Sequence, residues 1–325
     1  MFTAAIVGAS GYAGQETLDR VLRHPELDLV ALGSDTLAGE SASALDVRLN
    51  GSLPAFVTPD EALGAGADVT FVCLDHRRAA SIAPPVDGVV VDLSGAHRLS
   101  AAAYPEWYGF EHPAAGELDR WSYALPELWP PATNLVANPG CYATAALLAL
   151  APLVGAIDAE GVIVDAKSGV SGAGRNPTPA SHAGFVLDNL SAYKVGAHQH
   201  APEIAHALGF PVTLVPHLLP VRRGLLATCY VQAISDDLRE RLASAYAGSG
   251  VVRVLADGTA PELARVQGTD AAEIAVFEDR LTGRSIVACA IDNLGKGAAG
   301  QAIQNANHVL GLEETLGLRL LGVIV

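Results

Sequence analysis

The sequence predicts an α/β chain in two domains, a parallel sheet covered on both faces followed by an α+β domain with a mixed sheet. Three observations carry this prediction. Apolar strand-like runs alternate with helix-like segments through the first third, a glycine-rich turn joins the first strand to the first helix, and after residue 141 strands follow one another with fewer helices between them. At 325 residues the chain exceeds one ordinary core. The expected division is 1–140, completed by a C-terminal helix at 298–325, and 141–297.

In chain order, "TAAIVG" (3–8) reads as a buried strand and "QETLDRVLRHP" (15–25) as an amphipathic helix ended by Pro25. "LDLVALGS" (27–34), "DVTFVCL" (68–74) and "GVVVDLS" (88–94) are further strands, which makes the unit Rossmann-like. "NLVAN" (134–138) leads through Pro139-Gly140 into a helix that opens on Cys141. Beyond it, "GVIVDAKSGVSGAG" (161–174), 212–234, "VVRVL" (251–255), "VFEDR" (276–280) and "SIVACAI" (285–291) read as strands, with a helix at 237–248. A long helix is expected over 297–312 and a terminal strand-like piece over 317–325.

Composition narrows the function. The net charge is −15 with no basic cluster, so nucleic acid is not an expected partner. No apolar run reaches the ~18 residues of a spanning helix, and the N-terminus lacks a basic leader, so a soluble cytoplasmic protein without membrane contact is expected. The four cysteines, at 73, 141, 229 and 289, share no close spacing, and neither a metal site nor a disulfide framework is predicted. Cys73, Cys229 and Cys289 sit inside β-branched apolar runs and read as small buried hydrophobes.

Two motifs carry chemistry. "GASGYAG" places Gly8, Ser10, Gly11, Tyr12 and Gly14 between strand and helix, where a sharp turn and exposed helix amides suit a dinucleotide's pyrophosphate. "NPGC" puts Cys141 at the first turn of a helix, where unpaired amides and the macrodipole favour the thiolate. A nucleophilic thiol beside a dinucleotide site points to a covalent thioester exchanged with a hydride.

Together "GASGYAG", "LVANPGCYATAALLALAPL", "SGVSGAGR", "HQHAPEI", "VPHLLPVRRG" and "DNLGKGAAGQAIQNAN" resemble, in order over nearly the full length, the N-acetyl-gamma-glutamyl-phosphate reductases of arginine biosynthesis. "DLSGAHRL" and "YPEWYG" fit the same family, which shares its fold and cysteine logic with aspartate-semialdehyde dehydrogenase. The resemblance implies that the Cys141 thiolate displaces phosphate from an acyl phosphate, that hydride reduces the thioester, and that a semialdehyde leaves. It places the acid/base at His217, with His198 and His200 near the substrate. It gives Arg98 to the phosphate of an anionic substrate, for which a guanidinium fork is suited; Asn138 before Pro139 and Arg175 at the end of "SGVSGAGR" are further candidates for the substrate's anionic groups. Arg222 and Arg223 are further cationic candidates, and Asn293, with Lys296 and Gly297, belongs to the nicotinamide side. A homotetramer or homodimer is implied.

The coenzyme that the resemblance implies is NADP. Asp35, in "LGSDT", stands where many members carry an arginine, and an acidic residue at this strand end usually binds the ribose of NAD. NAD is therefore the alternative, with Ser34 and Thr36 as the remaining phosphate ligands. The nearest rival activity is reduction of a carrier-linked aminoadipyl phosphate in lysine biosynthesis. It would need a basic docking face, against which the charge of −15 argues. A sensor that binds a dinucleotide without turnover would not need both Cys141 and His217.

Overall fold

Seven short strands, most of them apolar, pair into a wholly parallel sheet: β1 (Phe2–Val7), β2 (Leu27–Gly33), β3 (Phe56–Val57), β4 (Val69–Val72), β5 (Val89–Asp92), β6 (Ser122–Tyr123) and β7 (Leu135–Ala137). Their order is β3-β2-β1-β4-β5-β7-β6, and every pairing is parallel. The computed structural model describes residues 1–322 apart from 50, 52 and 86. β4 and β5 are buried at every position because both sheet faces are covered, which is why their sequences read as unbroken apolar runs. Alternation separates the two cores. Ala4 and Ile6 join Leu18, Phe71, Ile303 and Ala306 on one face, while Ala5 and Val7 join Ala31, Ala62 and Ala67 on the other. Strand order turns back at β1 and β4, the place where open α/β sheets take ligands.

The first compact unit comprises Met1–Pro105, Phe110–Pro139 and Ala298–Leu318. Its first helix, Tyr12–Val21, starts three residues earlier than the sequence pattern indicates. The reason is Gly14, whose missing side chain lets the first helical turn sit directly on the backbone of Gly8 and Ala9. At the other end, a π-helical turn (Gly295–Ala299) leads into the helix Gly300–Val309, so the helix predicted to run through 298–325 stops far short. The expected strand at 317–325 is also absent from residues 317–322, and 323–325 lie outside the described residues. Its backbone is satisfied by a loop: Arg319 N–H donates to Asp270 Oδ2 at 2.8 Å, and Asp270 N–H donates to the Arg319 carbonyl at 2.7 Å.

The second unit comprises Glu106–Gly109, Gly140–Gly297 and the tail from Arg319. Its strands are β8 (Ile163–Gly169), β9 (Ser191–Ala192), β10 (Thr213–Leu219), β11 (Leu225–Val231), β12 (Val252–Val254), β13 (Ala272–Glu278) and β14 (Ser285–Ile291). They form one mixed sheet in the order β12-β13-β14-β11-β8-β10-β9, with β8–β10 and β12–β13 parallel and the rest antiparallel. β8 ends earlier than expected, and Val170–Ala173 forms a 3-10 turn. One face of the sheet, carrying Leu225, Ala227, Cys229 and their partners Ile291, Cys289 and Val287, is fully buried. The helix Cys141–Leu150 covers it, with nine of its ten residues buried. The opposite face carries Asp165, Lys167, Thr228 and Tyr230, all partly exposed.

Candidate active site

In the first unit the three glycines of "GASGYAG" do different work. Gly8 ends β1 at φ +90°, and a Cβ there would lie 2.5 Å from the Cys73 carbonyl oxygen. A Cβ at Gly14 would lie 2.3 Å from the Gly8 carbonyl oxygen, yet one at Gly11 would meet nothing closer than 3.6 Å. Packing therefore demands glycine at 8 and 14, whereas at Gly11 it leaves room at the helix N-terminus. That is the space a pyrophosphate needs, and the turn fits a dinucleotide. Tyr12, at the first position of the helix, is exposed beside it.

The end of β2 departs from expectation. Ser34 is 1% exposed and its hydroxyl donates to Ser10 Oγ at 2.8 Å while accepting the Leu37 N–H at 3.3 Å. It ties β2 to the glycine turn instead of presenting a hydroxyl to a ligand. Asp35 is exposed and forms an ion pair with Arg78 at 2.5 Å. Nothing local to Asp35 signals Arg78, which lies 43 residues away.

Beyond β5, "DLSGAHRL" is a tight scaffold. Asp92 accepts from the Ser94 N–H and hydroxyl and from His97 Nδ1 at 2.6 Å, and His97 stacks on Trp121 with ring centroids 3.7 Å apart. Burial raises the Asp92 carboxyl, but the His97 and Ser94 bonds outweigh it and hold the group below the usual range. Arg98, buried, donates to the Leu93 carbonyl at 2.8 Å. Asn138 is fully buried: its amide donates to the Ala298 carbonyl at 3.3 Å and its oxygen accepts from Asn305 at 3.0 Å. It is spent on joining β7 to the Gly300–Val309 helix.

In the second unit Cys141 is the first residue of its helix and partly exposed. Gly297 packs against it, since a Cβ there would lie 2.9 Å from the Cys141 Cβ, so "DNLGKG" does reach the thiol. Asn293 itself is 2% exposed, accepts from the Gly224 N–H at 2.7 Å and donates to Ser171 at 3.0 Å, holding two loops together. Next to the thiol, the Tyr142 and Tyr193 hydroxyls lie 2.9 Å apart. Burial pushes Tyr142 far up and Tyr193 up to about 12, and both phenols are also raised by the charge of Cys141.

The histidines divide between the two sheet faces. His198 and His200 are buried against Tyr142, at 5.2 and 5.8 Å between ring centroids, and 4.7 Å from each other. His198 Nδ1 accepts the His200 N–H at 3.1 Å, and burial, with the Lys194 charge, pulls His198 down to about 4. It is neutral near pH 7, with its proton on Nε2. His217 is elsewhere. It pairs in register with Lys167, whose other partner Leu226 faces away from Leu225 and Ala227, so its ring emerges on the sheet face opposite Cys141. There its Nδ1 lies 3.1 Å from Asp165 Oδ1, beside the Lys167–Asp165 pair at 2.5 Å. The expectation of His217 as acid/base partner of Cys141 is corrected on this geometry.

Glu203 is an unexpected member of the site. Its carboxylate, 1% exposed, accepts the Gly140 N–H at 2.8 Å and so fixes the residue that precedes the thiol. A signal was available, because His200 and Glu203 are three apart on one helix. Arg175 and Arg222 are exposed, and Arg223 pairs with the buried Asp292 at 2.6 Å. Among the described residues no cluster of His, Cys, Asp and Glu could hold a metal ion, and no helix is long and apolar enough to cross a membrane.

Residues 3–135 match the model of the semialdehyde dehydrogenase NAD binding domain, and residues 141–293 that of the semialdehyde dehydrogenase dimerisation domain. An N-acetyl-gamma-glutamyl-phosphate reductase of Salinispora tropica is 44% identical, with 98% of each chain covered. The chain belongs to the N-acetyl-gamma-glutamyl-phosphate reductase family. One of the same name from Moorella thermoacetica is 40% identical with 99% of each chain covered. Among solved structures, aspartate semialdehyde dehydrogenase II of Vibrio cholerae aligns with a TM-score of 0.75 at 18% identity, covering 96% of this chain and 98% of that one. Aspartate semialdehyde dehydrogenase with NADP from Candida albicans aligns with a TM-score of 0.63 at 16% identity, over 96% and 98% of the chains. These two likenesses show that the chain shares the fold of the semialdehyde dehydrogenases.

Proposed function

We propose that the protein reduces N-acetyl-L-glutamyl 5-phosphate to N-acetyl-L-glutamate 5-semialdehyde, with NADP as coenzyme and Cys141 as nucleophile. The observation that carries this is the placement of Cys141 at the first turn of a buried helix, with Glu203 fixing the residue before it. The names of the full-length relatives support the acetylglutamyl substrate and give no support to the carrier-linked aminoadipyl alternative.

The Cys141 thiolate attacks the acyl carbon, and the carbon–oxygen bond to phosphate breaks with the electron pair leaving on phosphate. The helix amides favour the thiolate before attack and again when it is expelled. Bound reduced nicotinamide supplies the hydride that reduces the thioester carbon. A proton is needed on the oxygen of the resulting thiohemiacetal and must be withdrawn as the carbon–sulfur bond breaks. His200 is the group proposed to move it, with His198 as a neutral neighbour whose Nδ1 accepts the His200 backbone N–H. Arg98 and Arg175 are proposed for the substrate's anionic groups. Asn138 and Asn293 act by holding backbone in place. NADP in place of NAD is supported by the family resemblance and by a structural neighbour crystallised with NADP.

A homo-oligomer is part of this reading. Phe185, Leu187, Leu190 and Val195, between 56% and 65% exposed, form an apolar stretch in the region matching the dimerisation domain. The test of the activity is the reverse reaction with N-acetyl-glutamate semialdehyde. Coenzyme reduction that requires inorganic phosphate is expected, and its absence with both NADP and NAD would overturn the reading.

A further inference from the structure

Asp35 stands at the end of β2, where an acidic side chain in a dinucleotide-binding unit normally receives the ribose hydroxyls of NAD. Here its carboxylate is already engaged, because Arg78 Nη1 donates to Asp35 Oδ2 at 2.5 Å. Arg78 is aimed from its own side of the sheet. It lies in the short helix His76–Ala79 that follows β4, and Asp75 caps that helix by accepting the N–H groups of Arg77 and Arg78 at 3.1 and 3.2 Å. The two arginines of "DHRR" then part: Arg77 lies over the Phe110 ring at 5.0 Å, and Arg78 reaches the end of β2.

Both members of the pair remain open to solvent, Arg78 at 39% and Asp35 at 55% of their side-chain surface. The bond to Asp35 uses one N–H of a guanidinium that has five, and the fork geometry matches phosphate oxygens. Thr36, also exposed, adds a hydroxyl next to Asp35, whereas Ser34 is committed to Ser10. A lone carboxylate here would repel a dianionic phosphate. Paired with Arg78 it is neutralised, and it holds the guanidinium at the end of β2.

We propose that Arg78 is the specificity-determining residue for NADP, receiving the 2′-phosphate at the end of β2, with Asp35 as its holder and not as a ribose ligand. This rests on the NADP reading above and deepens it. Thr36 completes the phosphate's contacts. The exposed setting makes the interaction sensitive to ionic strength, as a screened charge pair is.

The experiment is equilibrium binding to the free enzyme, read by nicotinamide fluorescence with NADPH and NADH and by competition with 2′,5′-ADP and 5′-AMP. The parent should bind NADPH more tightly than NADH, and 2′,5′-ADP should compete where 5′-AMP does not. Arg78→Ala should weaken NADPH and 2′,5′-ADP by roughly 10–100-fold, the range for loss of a charge-assisted contact, and NADH by less than about threefold. Arg78→Lys, which keeps charge without the fork, should fall between. Asp35→Asn should leave NADH binding unchanged within about threefold, since the carboxylate takes no ribose bond. If the parent prefers NADPH but Arg78→Ala preserves that preference, the role of Arg78 is wrong while the NADP reading stands. If the parent binds NADH as tightly as NADPH, and Asp35→Asn weakens NADH tenfold or more, both are overturned.

Discussion

A methyl group added at two glycines of one turn should have opposite consequences. At Gly14 the new Cβ would lie 2.3 Å from the Gly8 carbonyl oxygen, 2.6 Å from Ala9 Cα and 2.9 Å from the Ala9 carbonyl carbon. The first of these is roughly 1 Å inside van der Waals contact, and all three neighbours are backbone that cannot swing aside. Overpacking of this kind costs about 1–3 kcal/mol and more where nothing flexible yields, against ~1 kcal/mol gained by Ala over Gly within a helix. Gly14→Ala should therefore lose about 2 kcal/mol or more net, a fall of roughly 4–8 °C in the melting temperature of a unit this size. At Gly11 the nearest atom to a new Cβ is 3.6 Å away, so the free protein accommodates it. The same methyl would stand where the pyrophosphate approaches the helix amides. Gly11→Ala should melt within a few degrees of the parent, since a cap glycine is worth ~1 kcal/mol at most, yet bind NADPH at least about tenfold more weakly. Thermal melting without coenzyme and a fluorescence titration with NADPH separate the two effects. A Gly14→Ala variant that melts with the parent would mean the turn can yield, and a Gly11→Ala variant that binds NADPH normally would mean the pyrophosphate does not approach there.

Cys141→Ser should abolish turnover while keeping NADPH binding, because a hydroxyl near neutral pH is a poor substitute for a thiolate. Cys229→Ala and Cys289→Ala, at fully buried positions, should change melting temperature more than kcat. His200→Asn should lower kcat by ~10²–10⁴, the usual range for a general acid/base, while His217→Asn stays within a few-fold; the reverse ranking in steady-state kinetics would return the role to His217. His198, held down at about 4 in the folded chain against 6.5 when unfolded, takes up its proton first in the unfolded state. Stability should therefore fall as pH drops from 6.5 towards 4, by about 2 kcal/mol at pH 5 from this residue, with His24 and His112 pulling the same way. Denaturant melts of His198→Gln should lose correspondingly less between pH 7.5 and pH 5, and an unchanged loss would contradict the assignment.

Near-continuous apolar runs and the glycine turn were enough to find the parallel sheet, because strands covered on both faces cannot hide their composition. Cys141 was equally legible, since Pro-Gly before an Ala- and Leu-rich run announces a helix start. What was not legible depended on partners distant in sequence. His217 sits in a strand whose residues alternate between two faces, and only the position of the Cys141–Leu150 helix says which face holds the chemistry. Asp35 looks like a ribose ligand until Arg78, 43 residues on, is found beside it. Ser34 and Asn138 carry side chains suited to ligands, yet their hydrogen-bonding capacity is consumed by Ser10 and by Asn305 and Ala298. The apolar tail read as a strand because composition alone does not reveal that Asp270 and Arg253 take up its backbone groups.

An acyl group that passes through sulfur at Cys141 can be caught without coenzyme. Enzyme mixed with N-acetyl-glutamyl phosphate in the absence of NADPH should release one equivalent of phosphate per active site in a burst and carry the acyl group on the peptide containing Cys141. Adding NADPH should then discharge that peptide and yield the semialdehyde. A phosphate burst that survives in Cys141→Ser, or an acyl group found on any other residue, would rule out a thioester at Cys141.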